Sequence, residues 1–452
     1  MTSGDDGARG ATRRGFLTGA AGIAAASAAF GADASRGAFA KPDAAAASAN
    51  PQIEPFWGKN QSGIITPPQA NTYFVAFDLT TEKRDDVVQL LTAWTSAAAR
   101  LTTGKLIEPF EKTELTYNYG TSTTTTTSDN PTPTTVSLSD TGEAEGLSPA
   151  RLTVTFGFGA GLFEKDSKDR YGLAKRRPEA LVDLPRFPGD ELVPEHTGGD
   201  LSVQACADDP QVAFHAVRQL ARIADGVAKV RWAQTGFLPN FGTGQTPRNL
   251  MGFRDGTNNP SASDPRAMAK FVWVGEEGPD WMRGGTYLVA RRIRIALEHW
   301  DRMQIAFQEQ TVGRRKSSGA PLGRRNEFEP LDLGATDKDG NPIIPENAHV
   351  RLAAAESNEG ARILRRPYSY NEGVNFTAER WPPWRQGLEY DAGLIFICYQ
   401  RDPRSGFLKI YERMSKLDMM NQFVTHVGGA LFACPGGIDE GEFVGQHLFA
   451  KV

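Results

Sequence analysis

"LSVQACADDPQVAFHAVRQL" (201–220) and "LIFICYQRDPRSGFLKIYERM" (394–414) share one layout. Each reads as an apolar strand, a polar turn ending in Asp-Pro, and an amphipathic helix. Asp209-Pro210 and Asp402-Pro403 stand 193 residues apart, as do Leu201 and Leu394, and Phe214 and Phe407. A proline directly after the turn suits the first helical position, so each helix is expected to start there. Four aligned residues at one offset favour an internal duplication over chance.

Working outward, "YFVAF" (73–77) and "YLVAR" (287–291) read as the opening strands of the two copies. "VRWAQTGFLP" (230–239) and "GGALFACPGG" (428–437) read as the closing ones. The predicted fold class is α+β, in two halves at about 66–245 and 246–452. Each half is a strand-helix-strand unit repeated, with an antiparallel sheet. The 452 residues, 40% hydrophobic, suffice for a core in each half. A Thr/Ser/Pro-rich insert, 121–146, interrupts the first half and offers no core residues, so it reads as a solvated loop.

The formal net charge is −4 and there is no long Lys/Arg block, which argues against a nucleic-acid partner. Residues 1–40 read as a twin-arginine export signal. Arg13-Arg14 precedes Gly15-Phe16-Leu17 and a mild Ala/Gly-rich run, with small-x-small sites ending at Ala34 and Ala40. That run is too short to span a bilayer comfortably, so no membrane anchor is expected after its removal. The expected location is periplasmic or otherwise extracytoplasmic. The three cysteines, Cys206, Cys398 and Cys434, form no CxxC pair and read as buried free thiols. The absence of CxxCH excludes covalent c-type haem attachment.

Six histidines are present, without HExxH or other zinc spacing. His215 reads as a helix-face residue, and His299 and His426 as structural. His349 follows a turn-rich approach, "KDGNPIIPENA", and is either a capping histidine or a single axial ligand to a haem iron. "MGFRDGTNNP" (251–260) places Asp255 before a glycine, where it is either an Asx-turn residue or a carboxylate held at a bend for chemistry. "ILRRPYSY" (363–370) places Arg365-Arg366 either at the surface or with one guanidinium turned inward to an anion. No GxSxG or phosphate-binding loop is present.

Together with "TRRGFL", "GLSPARLTVTFGFG", "WMRGGTYLVARRIRI", "VGRRKSSGAPLG", "NAHVRLA" and "GLIFICYQRDP", these stretches resemble the dye-decolorizing peroxidases. The resemblance spans nearly the whole chain after the signal, and Gly-Phe-Arg-Asp-Gly is the family's signature. It is strongest to the exported deferrochelatase/peroxidase branch of bacterial ferrous-iron uptake systems. The insert at 121–146 departs from the family pattern.

The resemblance implies two ferredoxin-like halves, with one non-covalent heme b in the C-terminal half. It implies His349 as the proximal ligand to the haem iron and Asp418 as the carboxylate behind it. Asp255 becomes the distal acid-base residue and Arg365 its partner. Leu394 and Phe396, on one strand face, become walls of the distal pocket. Arg314 and Lys316 become candidates for the haem-propionate edge. The implied partners are hydrogen peroxide and a reducing substrate, with components of an iron-uptake system and a second copy of the chain as further candidates. The implied activity is a haem peroxidase acting on dyes, phenols or other donors. Two alternatives stand beside it, a deferrochelatase that leaves the porphyrin intact and a non-catalytic haem carrier. Trp381 and Trp384 read either as loop packing residues or as a surface route for electrons.

Overall fold

The computed structural model describes residues 52–107, 140–239, 246–378 and 386–450. The predicted export signal, most of the Thr-rich insert, Trp381 and Trp384 lie outside the described residues.

The first half contributes β1 (Asn71–Leu79), β2 (Thr153–Phe158), β3 (Leu201–Ala207) and β4 (Ala228–Phe237). They pair antiparallel in the order β2-β3-β1-β4. Helices Arg84–Leu101 and Pro210–Ile223 connect β1 to β2 and β3 to β4. The second half repeats the plan with β5 (Thr286–Ile295), β7 (Tyr368–Ala378), β8 (Gln386–Gln400) and β9 (Val424–Cys434), in the order β9-β5-β8-β7. A two-residue strand, β6 (Leu364–Arg365), adds to β8. Both halves are therefore ferredoxin-like.

The sheets of the two halves are joined into one. Single residue pairs join them edge to edge, Phe158 with Ala433 and Phe237 with Ser369. Residues from both sheets fill the space between them, including Phe74, Ala76 and Cys206 from one and Tyr368, Ile395, Ile397 and Phe432 from the other. This is why β2 and β3 are buried along their whole length instead of alternating. All three cysteines are free and buried.

The halves differ on their outer faces, and the difference positions the site. In the first half, two long helices cover the sheet with Val87, Leu90, Leu91, Trp94, Val212, Ala216 and Leu220. In the second half the helix Phe407–Leu417 is the counterpart of Pro210–Ile223. Between β5 and β6 the chain forms short helices, Leu297–Asp301, Ile305–Val312 and His349–Ala353, separated by loops. These elements leave a cavity against the sheet where the first half is filled by a helix.

The duplicated stretches also start their helices differently. Asp209 caps the first, its Oδ1 accepting from the amides of Gln211 and Val212, with Pro210 at the first helical position. Pro403 instead lies in a turn, and the second helix begins at Phe407. There the cap comes from the sheet, because Gln400 Oε1 accepts from Phe407 N at 2.6 Å.

Candidate active site

The cavity measures about 240 Å³. A water needs roughly 10–15 Å³ by a similar measure, so the space takes a ligand of many heavy atoms. Its walls are mostly apolar, with Ile293, Leu394 and Phe396 from the sheet, and Ile410, Met414 and Val350 opposite. Two sets of its polar groups are paired by hydrogen bonds.

The first set is built on helix ends. His349 opens its short helix after Ala348, whose amide bonds to Pro345 O. Asp418 ends the helix Phe407–Leu417 and caps the turn that follows, Oδ1 accepting from Met420 N at 2.8 Å. The amide of Met419 bonds to Asn347 O, which ties the two helix ends together. This brings Asp418 Oδ2 to 2.7 Å from His349 Nδ1. Asp418 is buried, whereas the His349 side chain is 32% accessible through its cavity edge. Nε2 is then the ring nitrogen left for a ligand. Burial works against a charge on His349, but the charge and hydrogen bond of Asp418 outweigh it and raise its pKa.

The second set is built on the loop at 248–259. Buried Met251 and Phe253 pack with Trp300 and anchor it. Asn249 Oδ1 accepts from the amides of Met251 and Phe253. Gly252 and Gly256 take positive φ, 84° and 112°, which lets the chain turn on both sides of Asp255. Asp255 Oδ1 accepts from Arg365 Nη1 at 2.7 Å. Arg365 is fixed in turn by Asn259, which exchanges two hydrogen bonds with its backbone.

The structure thus brings His349, Asp418, Asp255, Arg365, Leu394 and Phe396 to one cavity. Arg314 also lines it, buried, with Nη1 bonded to the carbonyls of Gly319 and Glu327. Lys316 is not among the lining residues. Its ammonium bonds to Gln308 Oε1 at 2.7 Å and lies over the Phe253 ring, so it braces the loop from behind. His426 reaches the wall, and burial, with Arg291 nearby, holds its pKa well below the ordinary value. His215 lies on the helix Pro210–Ile223. It is buried in the first half, its nitrogens 3.5 Å from Asp140 and 3.2 Å from Glu143. Asn259, Thr257 and Glu327 also belong to the site's support and carry no motif that spacing alone would single out.

A single carboxylate-backed histidine and an acid–guanidinium pair lining one largely apolar cavity have the parts of a haem peroxidase. The Dyp-type peroxidase N-terminal and C-terminal family models match residues 61–238 and 246–439. A dye-decolorizing peroxidase of Thermobifida fusca is 37% identical, with 99% of each chain covered. A deferrochelatase of Escherichia coli K12 is 33% identical over 90% of each chain. Among solved structures, a DyP-type peroxidase from Streptomyces coelicolor superposes with a TM-score of 0.76 at 39% identity, covering 88% of this chain and 98% of that one. The chain belongs to the Dyp-type peroxidase family.

Proposed function

We propose that this protein is a haem peroxidase that uses hydrogen peroxide to oxidise a reducing substrate, with His349 as the axial ligand and Asp255 as the distal acid-base residue. The observation that carries the reading is that the His349–Asp418 and Asp255–Arg365 pairs line one largely apolar cavity. The cavity fits a haem. It offers one free imidazole nitrogen, apolar walls for a flat macrocycle, and a buried guanidinium, Arg314, for a carboxylate at its edge. Bound haem supplies an iron that peroxide oxidises by two electrons and that donors reduce one electron at a time.

The chain's own groups handle the protons. Asp255 Oδ2 is the oxygen not engaged by Arg365, and it takes a proton from one peroxide oxygen and returns it to the other, which leaves as water. Arg365 holds the carboxylate in place and stabilises negative charge that develops as the O–O bond breaks. Asp418 holds the Nδ1 proton of His349, which fixes the tautomer and makes Nε2 a stronger donor. Leu394 and Phe396 limit the space beside Asp255. Replacing Asp255 by Asn removes the proton acceptor but keeps the size. The peroxide-dependent rate should fall by about 10²–10⁴ with haem still bound, measured by stopped flow. An undiminished rate would refute the acid-base role.

A second reading, iron release from haem, draws on the relative named deferrochelatase. It predicts fluorescent metal-free porphyrin without peroxide. We further infer export by the twin-arginine route, supported by Arg13-Arg14 and the run behind it. Among the described residues no helix is long and apolar enough to cross a membrane. A link to iron uptake rests on the same relative.

A further inference from the structure

Among the arginines that line the cavity with Asp255 are its sequence neighbour Arg254 and, paired with it at 2.7 Å, Arg365. Only Arg365 engages its carboxylate. The reason lies in a third segment. Glu327, with a side chain 9% accessible, places Oε2 at 3.2 Å from Arg254 Nε. Its Oε1 accepts from Thr257 Oγ1 at 2.9 Å. Its backbone carbonyl accepts from Arg314 Nη1. One carboxylate therefore grips the residues on both sides of Asp255 and Gly256. Arg254 is held further by Thr246 O, and its Cδ rests where Gly319 leaves room, since a Cβ there would come within 2.6 Å.

We propose that Glu327 is a positioning residue that reserves Asp255 for Arg365, by neutralising Arg254 and pinning Thr257. The inference rests on the acid-base reading of Asp255. Two like cations beside one carboxylate compete for it. A cation whose own carboxylate sits at 3.2 Å competes weakly. The charged and titratable groups that share a cavity wall with Asp255 are Arg365, Arg254 with Glu327 against it, Arg314, Arg362, His426, Tyr411 and His349 with Asp418 behind it, and Arg248 and Arg366 in the adjoining pocket.

The test compares Glu327→Gln, Arg254→Ala and the double variant in the haem-loaded protein. Glu327→Gln keeps an acceptor for Thr257 and removes only the charge. Arg254, no longer neutralised, then stabilises ionised Asp255, and the acid limb of the peroxide-rate profile should move down by roughly one pH unit. Arg254→Ala leaves Glu327 uncompensated and should move the limb up. The double variant should return it to the wild-type position, which a merely structural role would not do. Glu327→Ala should also speed amide exchange over residues 254–258 by about fivefold, through loss of the Thr257 bond. An unmoved limb in both single variants, or a double variant that does not return, overturns the proposal. If Glu327→Gln does not fold, the sign of the Arg254→Ala shift decides. Asp255→Asn run in parallel separates the two claims, because an undiminished rate there sinks the acid-base reading itself.

Discussion

Asp418 does two jobs with one carboxylate. Oδ1 caps a turn and Oδ2 meets His349, so the helix end that positions the acid is also stabilised by it. Asp418→Asn keeps the shape and removes the charge that offsets burial of the imidazole. Haem affinity, measured by transfer to apomyoglobin, should fall by about 10–100-fold. An unchanged affinity would mean that the pair is structural only. At this scale the sequence was legible only through likeness to a family. Asp255 and Arg365 are 110 residues apart and no spacing rule joins them. Likeness singled out Asp255 and Arg365, while Asn259, Thr257 and Glu327 act through tertiary bonds to other segments. Lys316, a candidate for the propionate edge by the resemblance, bonds to Gln308.

At the scale of elements, apolar strands and the turn–helix repeats were readable because burial periodicity is local. The start of the second repeat's helix was not, because its cap comes from a side chain on β8. The partners of His215 were not readable for a similar reason. Its partners, Asp140 and Glu143, stand on the returning end of the Thr-rich insert. Burial opposes the charge of Glu143, yet bonds from Thr141, its own backbone and His215 prevail and hold its pKa at about 2. A carboxyl held below its unfolded value adds stability at neutral pH that disappears as pH falls through the folded value. The contribution should be complete above the ordinary 4.5 and gone near 2. Because Glu143 is partly solvated, its size is on the order of 1 kcal/mol or less. Wild type should therefore exceed Glu143→Gln in urea-melt stability at pH 6 and lose that margin towards pH 2. A margin independent of pH would contradict it.

The whole molecule is a duplication whose copies have diverged in what covers them. The first half closes its sheet with two helices, and the second opens a cavity in the corresponding place. The sequence showed the duplication, but it could not show that the two sheets meet edge to edge, since each seam rests on one residue pair. Each seam also has a glycine beside it. A Cβ on Gly236 would lie 2.7 Å from Tyr368 Cβ and 2.9 Å from Ile395 Cγ2, and one on Gly157 2.8 Å from Phe432 Cβ. Gly236→Val should overpack the seam and cost about 1–3 kcal/mol in chemical denaturation. Full stability in that variant would mean that the halves are not in close contact there.

The central claim is that His349 holds a haem in the C-terminal cavity, and its most direct test is an absorption spectrum. The purified protein, reconstituted with haem, should show a Soret band at one haem per chain. His349→Ala, treated identically and shown to be folded, should lose that band or shift it strongly. A wild-type haem spectrum in His349→Ala would contradict the account.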